Sequence, residues 1–315
     1  MNKIDKPVLI AFGCSAALVV SGSFFFPRFL TATYLLQQLQ MASFLGIVAT
    51  GAMVVILMGH FDLSVPWGLT AAGIASTAIY GGALGPGLAW ASIPAGLVSG
   101  VLIGLINGSG VAYLRLPSMI WTLGVNFVVL GVCVFYTGGF LPPGEASGLM
   151  RWVGIGKSLG GVPNAIYLWL AIALIIVFVL RRTKTGRYIY AIGNSERVTY
   201  LAGVNTNGII VLGFVISGLC NAIAGMALAG YAQQAYQAMG EPYLLPAIAA
   251  VVLGGTNVLG GSGSYIGTVA GVILITLITS ILSVVQIPEA GRQIIYGIVI
   301  IFMVLFYARG QQAKG

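Results

Sequence analysis

Arg181-Arg182-Thr183-Lys184-Thr185-Gly186-Arg187, running on to Asn207, is the most polar stretch of this chain, and apolar sequence flanks it almost without interruption. Four cations fall within its first seven residues, and Arg197 follows. Such a concentration of Lys and Arg marks a cytoplasmic connection between membrane spans. Within it, Glu196-Arg197-Val198-Thr199-Tyr200-Leu201-Ala202-Gly203 places Val198, Leu201 and Ala202 at helical i, i+3, i+4 spacing. Asn194 or Ser195 can cap the start of that helix. Two turns do not hold in water unaided, since isolated helices need about 12 to 15 residues. The segment therefore has to dock against something. The alternative is a solvated basic loop that only fixes topology.

The composition around this stretch belongs to a polytopic membrane protein. Hydrophobic residues make up 58% of the 315 and charged ones 6%, and mean hydropathy is +1.02. A soluble domain carries about a quarter charged residues, so this chain cannot cover itself with polar surface. The +8 net charge is explained by cations holding loops on one side of a bilayer, and no nucleic acid partner is expected. Cys14, Cys133 and Cys220 lie far apart in apolar runs and read as small buried hydrophobes, without a disulfide framework or metal set.

Taken in order, Val8 to Phe26 is long enough to span a bilayer, which needs about 20 residues. A cleaved signal peptide competes, but no Ala-x-Ala type site follows it. A second apolar run from about Gln37 to Met58 leads into Gly59-His60-Phe61-Asp62-Leu63-Ser64-Val65-Pro66. Beyond Asp5 in the short charged lead, Asp62 is the only acid near the first three spans, and an ionisable residue at membrane depth is a functional candidate, here for the translocation path. Ser64 before Val65-Pro66 also reads as an N-cap, with Asp62 stabilising the same helix start. His60, the single histidine, reads as a hydrogen-bonded structural residue.

Leu88 to Asn107 is a further span, with Gly96, Gly100, Gly104 and Gly108 at four-residue spacing. One helix face without side chains lets a neighbouring backbone approach closely. The device recurs at Gly263, Gly267 and Gly271. Asn107 to Pro117 reads as a short cytoplasmic loop with Arg115, and Ser118 to Phe135 as a span. The glycine-rich stretch to Val162 reads as a long outer loop, and Pro163 to Leu180 as the next span. From Asn207 a span runs to Tyr231, and Gln233, Gln234, Tyr236, Gln237 and Glu241 then form either an outer vestibule for a hydroxylated solute or an interfacial belt. Leu245 to Thr256 is apolar up to Gly254-Gly255-Thr256, where a helix break is expected. Gly255 to Ser262 has the outline of a P-loop but holds Gly261 where the lysine belongs, so no nucleotide is expected there. Tyr265 to Val285 and Arg292 to Tyr307 close the set.

Three separated phrases are similar to one family. Thr185-Gly186-Arg187 through Asn194, with Glu196 and Leu201-Ala202-Gly203-Val204, resembles the central cytoplasmic loop of ribose-type ABC importer permeases. Phe61-Asp62-Leu63-Ser64-Val65 and Ala247-Ile248-Ala249-Ala250-Val251-Val252-Leu253-Gly254-Gly255-Thr256 resemble two further stretches of the same family. In that family the loop carries the Glu-Ala-Ala…Gly coupling motif that docks on an ATPase subunit. Glu196 and Gly203 match it, and Arg197 and Val198 replace its alanines. The resemblance implies ATPase coupling through Gly186, Arg187, Glu196, Leu201 and Gly203. It also implies an extracytoplasmic sugar-binding protein, a second permease copy or paralogue, and ATP and Mg on the partner ATPase, with no cofactor on this chain.

The expectation is thus one all-α permease domain over residues 1–315, with a coupling loop at about 181–207. It has about ten transmembrane helices, some broken or re-entrant, in the inner membrane of a bacterium. An N-in, C-in topology leaves only Arg28, Arg151, Lys157 and Arg292 outside among the cations. The regions Val54–Ala75 and Val251–Ile273 echo one another as helix, polar break and helix, a pattern that points to a translocation path. No nucleophile–base pair or paired carboxylate site suggests an enzyme. The function expected is ATP-driven import of a monosaccharide or related polyol. A transporter driven by an ion gradient through Asp62 is the alternative.

Overall fold

A computed structural model describes residues 6–25, 27–81 and 86–312. The chain runs through helices α1 (Lys6–Phe25), α2 (Ala32–Leu57), α3 (Val65–Tyr80), α4 (Ser92–Ala112), α5 (Ser118–Thr137), α6 (Gly148–Gly154) and α7 (Asn164–Arg182). It continues through α8 (Lys184–Asn194), α9 (Glu196–Leu201), α10 (Thr206–Ala232), α11 (Leu244–Leu253), α12 (Tyr265–Val284) and α13 (Glu289–Gln312). The only sheet among the described residues pairs β1 (Lys157–Ser158) with β2 (Val162–Pro163).

Apolar surface is distributed as expected for a protein whose outer solvent is lipid. α2 is the central post, buried without a break from Ala42 to Leu57. α10 crosses beside it and carries α4 and α3 on its other flank, while α7, α11 and α12 enclose α2. α5 and α7 instead turn Phe127, Val128, Phe135, Leu174, Ile175 and Phe178 outward. In water such surfaces would be a liability, but in a bilayer they are the solvated face. Among the described residues six helices are long and apolar enough to cross a membrane, and Val8–Phe24 and Glu241–Leu253 are shorter apolar helices.

Three expectations change. The span expected to end at Asn107 runs on to Ala112. Asn107 is fully buried, and its amide finds polar partners inside the protein, so the helix has no reason to stop there. The outer loop before Val162 contains α6, whose Met150 and Gly154 press on Tyr231 and Gly230 of α10. The polar stretch 181–207 is helical: Arg181 and Arg182 end α7, where cations favour the helix dipole. Lys184, Gly186 and Arg187 belong to α8. The N-terminal Met1 to Asp5 and Lys314 lie outside the described residues.

Candidate functional site

α8 forms because each of its ends and its inner face has a partner. Thr183 caps it by accepting from Gly186 N–H at 3.2 Å. Ile189 and Ile192 are buried, and Gly186 is small enough to lie against the carbonyls of Val179 and Leu180. Arg187 faces outward. α9 follows at once, capped by Ser195, which accepts from Val198 N–H at 3.3 Å. Asn194, the other capping candidate, is used elsewhere.

α9 ends in a Schellman turn. Gly203 N–H donates to Tyr200 C=O at 2.9 Å and Val204 N–H to Thr199 C=O at 3.4 Å. Gly203 has φ +83° with open space where a Cβ would stand. Its requirement is therefore conformational, since the left-handed region costs other residues about 1–2 kcal/mol. The root of α9 is tied down by an Arg115–Glu196 ion pair and by Thr206, whose hydroxyl donates to Glu196 at 3.5 Å. At this exposure the pair contributes at most about 1 kcal/mol, so its effect is to orient. Beside the exposed Arg197, α9 offers a largely apolar face outward: Val198, Tyr200 and Leu201 are 65%, 64% and 75% exposed.

Beneath α8, two helix breaks meet. α2 ends with Gly59 at φ +80°, Gly59 N–H donating to Ile56 C=O and His60 N–H to Val55 C=O. α11 ends in the same way, with Gly255 at φ +88° and the N–H groups of Gly255 and Thr256 donating to Val252 and Val251. The loop after α11 reaches the end of α2, and Gly261 N–H donates to Leu57 C=O at 2.9 Å. α8 clasps this junction. Tyr190 O–H donates to Gly263 C=O at 3.0 Å, Asn194 Nδ2 donates to Gly261 C=O at 3.2 Å, and Gly193 lies against Leu57 C=O and Gly261. Burial raises the Tyr190 pKa, with Arg181 opposing, so its hydroxyl remains a donor. The sequence echo between 54–75 and 251–273 thus corresponds to two breaks in direct contact.

Asp62 occupies the first break and is almost wholly buried. Its Oδ1 accepts from Ser64 N–H at 3.0 Å and Ser64 O–H at 2.6 Å, and from Asn107 Nδ2 at 3.4 Å. Its Oδ2 accepts from Ser217 O–H at 2.7 Å. Ser64 stands at the N-cap position of α3 but makes no side-chain cap bond; its hydroxyl serves the carboxylate instead. The backbone donors around the start of α3 are met from α5: Phe61 N–H by Ser118 Oγ, Leu63 N–H by Thr122 Oγ1 and Trp67 N–H by Asn126 Oδ1. That row was missed, although its four-residue spacing on an apolar span is visible in the sequence. His60 does not have the hydrogen bond expected of it at Nε2, which is buried without a partner. Its ring lies 6.2 Å from that of Phe214, and burial lowers its pKa, with Glu196 opposing.

The glycine rows sit at helix crossings. On α4, a Cβ at Gly100 would stand 2.6 Å from Ala222 Cβ, at Gly104 2.7 Å from Val215 Cα, and at Gly108 2.6 Å from Val211 Cα, all on α10. Gly96 meets Met226 of α10 and Ala72 of α3. On α12, Gly267 lies against Gly254 and Gly271 against Ala250. Gly263 precedes the helix and faces Thr256, whose buried hydroxyl has no partner.

At the opposite end of the bundle, Gln234 donates to Pro142 C=O and Gln237 to Thr137 and Phe140, holding the segment after α5. Tyr236 instead lines a cavity of about 360 Å³ between α2, α12 and α13. The cluster expected as a vestibule or belt is thereby split.

Residues 34–304 match the family described as branched-chain amino acid transport system / permease component. The ribose import permease protein RbsC of Escherichia coli (strain K12) is 34% identical over 305 residues, 96% of this chain and 93% of that protein. RbsC of Bacillus subtilis (strain 168) is 35% identical over 291 residues, 91% and 88% of the two chains. The autoinducer 2 import system permease protein LsrD of Photorhabdus luminescens is 32% identical over 201 residues, 60% of each. No solved structure matches. With helices suited to a bilayer, and a family match that covers most of its length, this chain belongs to the branched-chain amino acid/ribose permease superfamily of ABC importers.

Proposed function

We propose that this chain is the permease of an ATP-driven importer for a monosaccharide, a pentose, hexose or related polyol. In this reading two copies, or one copy and a paralogue, line the path through the inner membrane. A soluble sugar-binding protein delivers solute from outside, and a partner ATPase binds ATP and Mg inside. The ten-span topology with both ends inside belongs to the same proposal. The observation that carries it is the outward apolar face of α9, where Val198, Tyr200 and Leu201 are exposed on a short helix held by Ser195, Glu196 and Gly203. A helix of six residues beside a basic surface has no reason to show such a face to water unless a partner covers it. Gly186, packed on the end of α7, and the exposed Arg187 belong to the same docking surface in this reading, and the relatives named as ribose import permeases favour a sugar.

The test is reconstitution. Proteoliposomes holding the chain with its ATPase, supplied with ATP and binding protein, should take up labelled sugar even after an ionophore has collapsed all ion gradients. Uptake by the chain alone, driven by an imposed proton gradient, would overturn the proposal. Which sugar shifts the melting of the binding protein identifies the cargo.

A further inference from the structure

The cavity between α2, α12 and α13 opens at the end of the bundle away from α8 and α9, which on the proposed topology is the outer face. Two neighbouring grooves there differ in chemistry. One, lined by Phe12, Val19, Leu35, Leu39, Ile273 and Leu277, is apolar and suits lipid chains. The other is ringed by Gln38, Tyr236, Thr279, Arg292 and Tyr296. It continues into a smaller recess of about 240 Å³ where Glu241 and Glu289 both stand on the wall. The chain has only six acids, so two of them on one recess, one paired with Arg292, is a concentration that needs a cause, because charge in or near a bilayer is costly.

The polar groups are partly committed and partly free. Arg292 pairs with Glu289 at 3.1 Å and donates to Ser283 at 2.8 Å, yet its Nε is buried without a partner. Tyr296 is held by a 2.5 Å bond to Thr279, which fixes the ring at the wall. Among the described residues the Gln38 amide has no hydrogen bond to the protein. Carboxylates that accept, a guanidinium that donates and rigid tyrosine faces together match a solute with many hydroxyls, which both gives and takes hydrogen bonds and has an apolar ring face. A metal cation is disfavoured by Arg292 at the same wall, and the polar groups stand among Met41, Leu45, Pro242 and Pro246, a mixed lining that suits a solute with both hydroxyls and an apolar ring face.

We infer that this groove is a binding site for a monosaccharide or polyol on the permease itself, with Arg292, Glu289 and Gln38 as its hydrogen-bonding groups. Its volume lies at the lower end of small-molecule pockets, about 300–1,000 Å³. The inference rests on the sugar-import reading and adds a solute site within the membrane subunit.

The experiment uses the full chain in nanodiscs with Met41→Cys, on the α2 wall of the groove, as reporter for a maleimide, on a background with the three native cysteines replaced by alanine. D-ribose, D-xylose, D-galactose and myo-inositol are the probes, with L-leucine as control. At least one of the polyhydroxylated probes should slow labelling in a saturable manner and L-leucine should not. Arg292→Gln and, separately, Glu289→Gln should raise the half-protecting concentration about tenfold, the loss expected for one hydrogen bond to a charged group, with sugar-free labelling rates unchanged. Those unchanged rates report an intact groove. Protection by L-leucine alone would overturn the inference and the sugar reading together. No protection by any probe, in a permease whose assembled complex imports one of them, would overturn the inference and leave the sugar reading standing. Protection undiminished in both variants would overturn the assignment of these groups.

Discussion

Ser217 of α10 donates its hydroxyl to Asp62 Oδ2 at 2.7 Å, so the first helix break is fastened to a helix 155 positions further along the chain. With Ser64 and Asn107 on the other oxygen, the carboxylate is held by neutral donors from three places in the fold. No ion pair reaches it among the described residues. Each bond to a charged group is worth about 1.5–3 kcal/mol, and leaving such a group unsatisfied costs more.

Asp62→Asn keeps one acceptor oxygen but turns an NH2 toward Ser217 or Ser64. The variant should fold, lose about 1–3 kcal/mol of stability and keep most ATP-driven uptake. Asp62→Leu, which strands four donors, should fail to accumulate in the membrane. Complete loss of uptake in a well-folded Asp62→Asn, measured in proteoliposomes, would point to proton coupling and against the importer reading.

For the glycine rows the expected effect is on packing. Gly100→Leu and Gly267→Leu place an isobutyl group where backbone now lies, and overpacking of this kind costs about 1–3 kcal/mol or more. Gly124→Leu, in a helix facing lipid with nothing within 4 Å of the added Cβ, should be silent. Thermal melting in detergent separates the cases; equal melting of all three would mean that the helix crossings tolerate side chains.

At the docking element, Leu201→Glu should spare folding and abolish binding-protein-stimulated ATP hydrolysis, because it charges the exposed apolar face. Gly203→Ala should weaken the same activity through the backbone, at a cost of about 1–2 kcal/mol. Glu196→Lys should act through like-charge contact with Arg115. Wild-type stimulated hydrolysis in Leu201→Glu, with normal assembly, would remove α9 from the interface.

Tyr190→Phe and Asn194→Ala cut the two bonds between α8 and the 254–264 loop without touching the exposed face of α9. Docking and basal hydrolysis should persist while transport per ATP falls about three- to tenfold in each single variant. That range assumes roughly 0.5–1.5 kcal/mol per lost neutral bond. A wild-type ratio of uptake to hydrolysis in the double variant would show that the clasp carries no coupling.

Much of this was legible in the sequence because it is local. The apolar runs, the cation-rich stretch from Arg181 and the glycine spacing on α4 follow from composition and the helical period. So does the break at Gly254-Gly255, since only glycine enters the left-handed turn cheaply; that Gly59 and Gly203 stop α2 and α9 in the same way is seen in the structure. Which elements touch depends on groups far apart in the chain. Asn107 appeared to lie in a loop because nothing near it explains a polar residue inside a helix; its partners are Asp62 and Ser64. The contact of Gly261 with Leu57, the clasp of Tyr190 on Gly263 and the capping of α3 from α5 were likewise decided by tertiary structure. Buried backbone and carboxylate groups must find partners wherever packing brings them, whereas local sequence fixes only which residues form helices and where those helices stop.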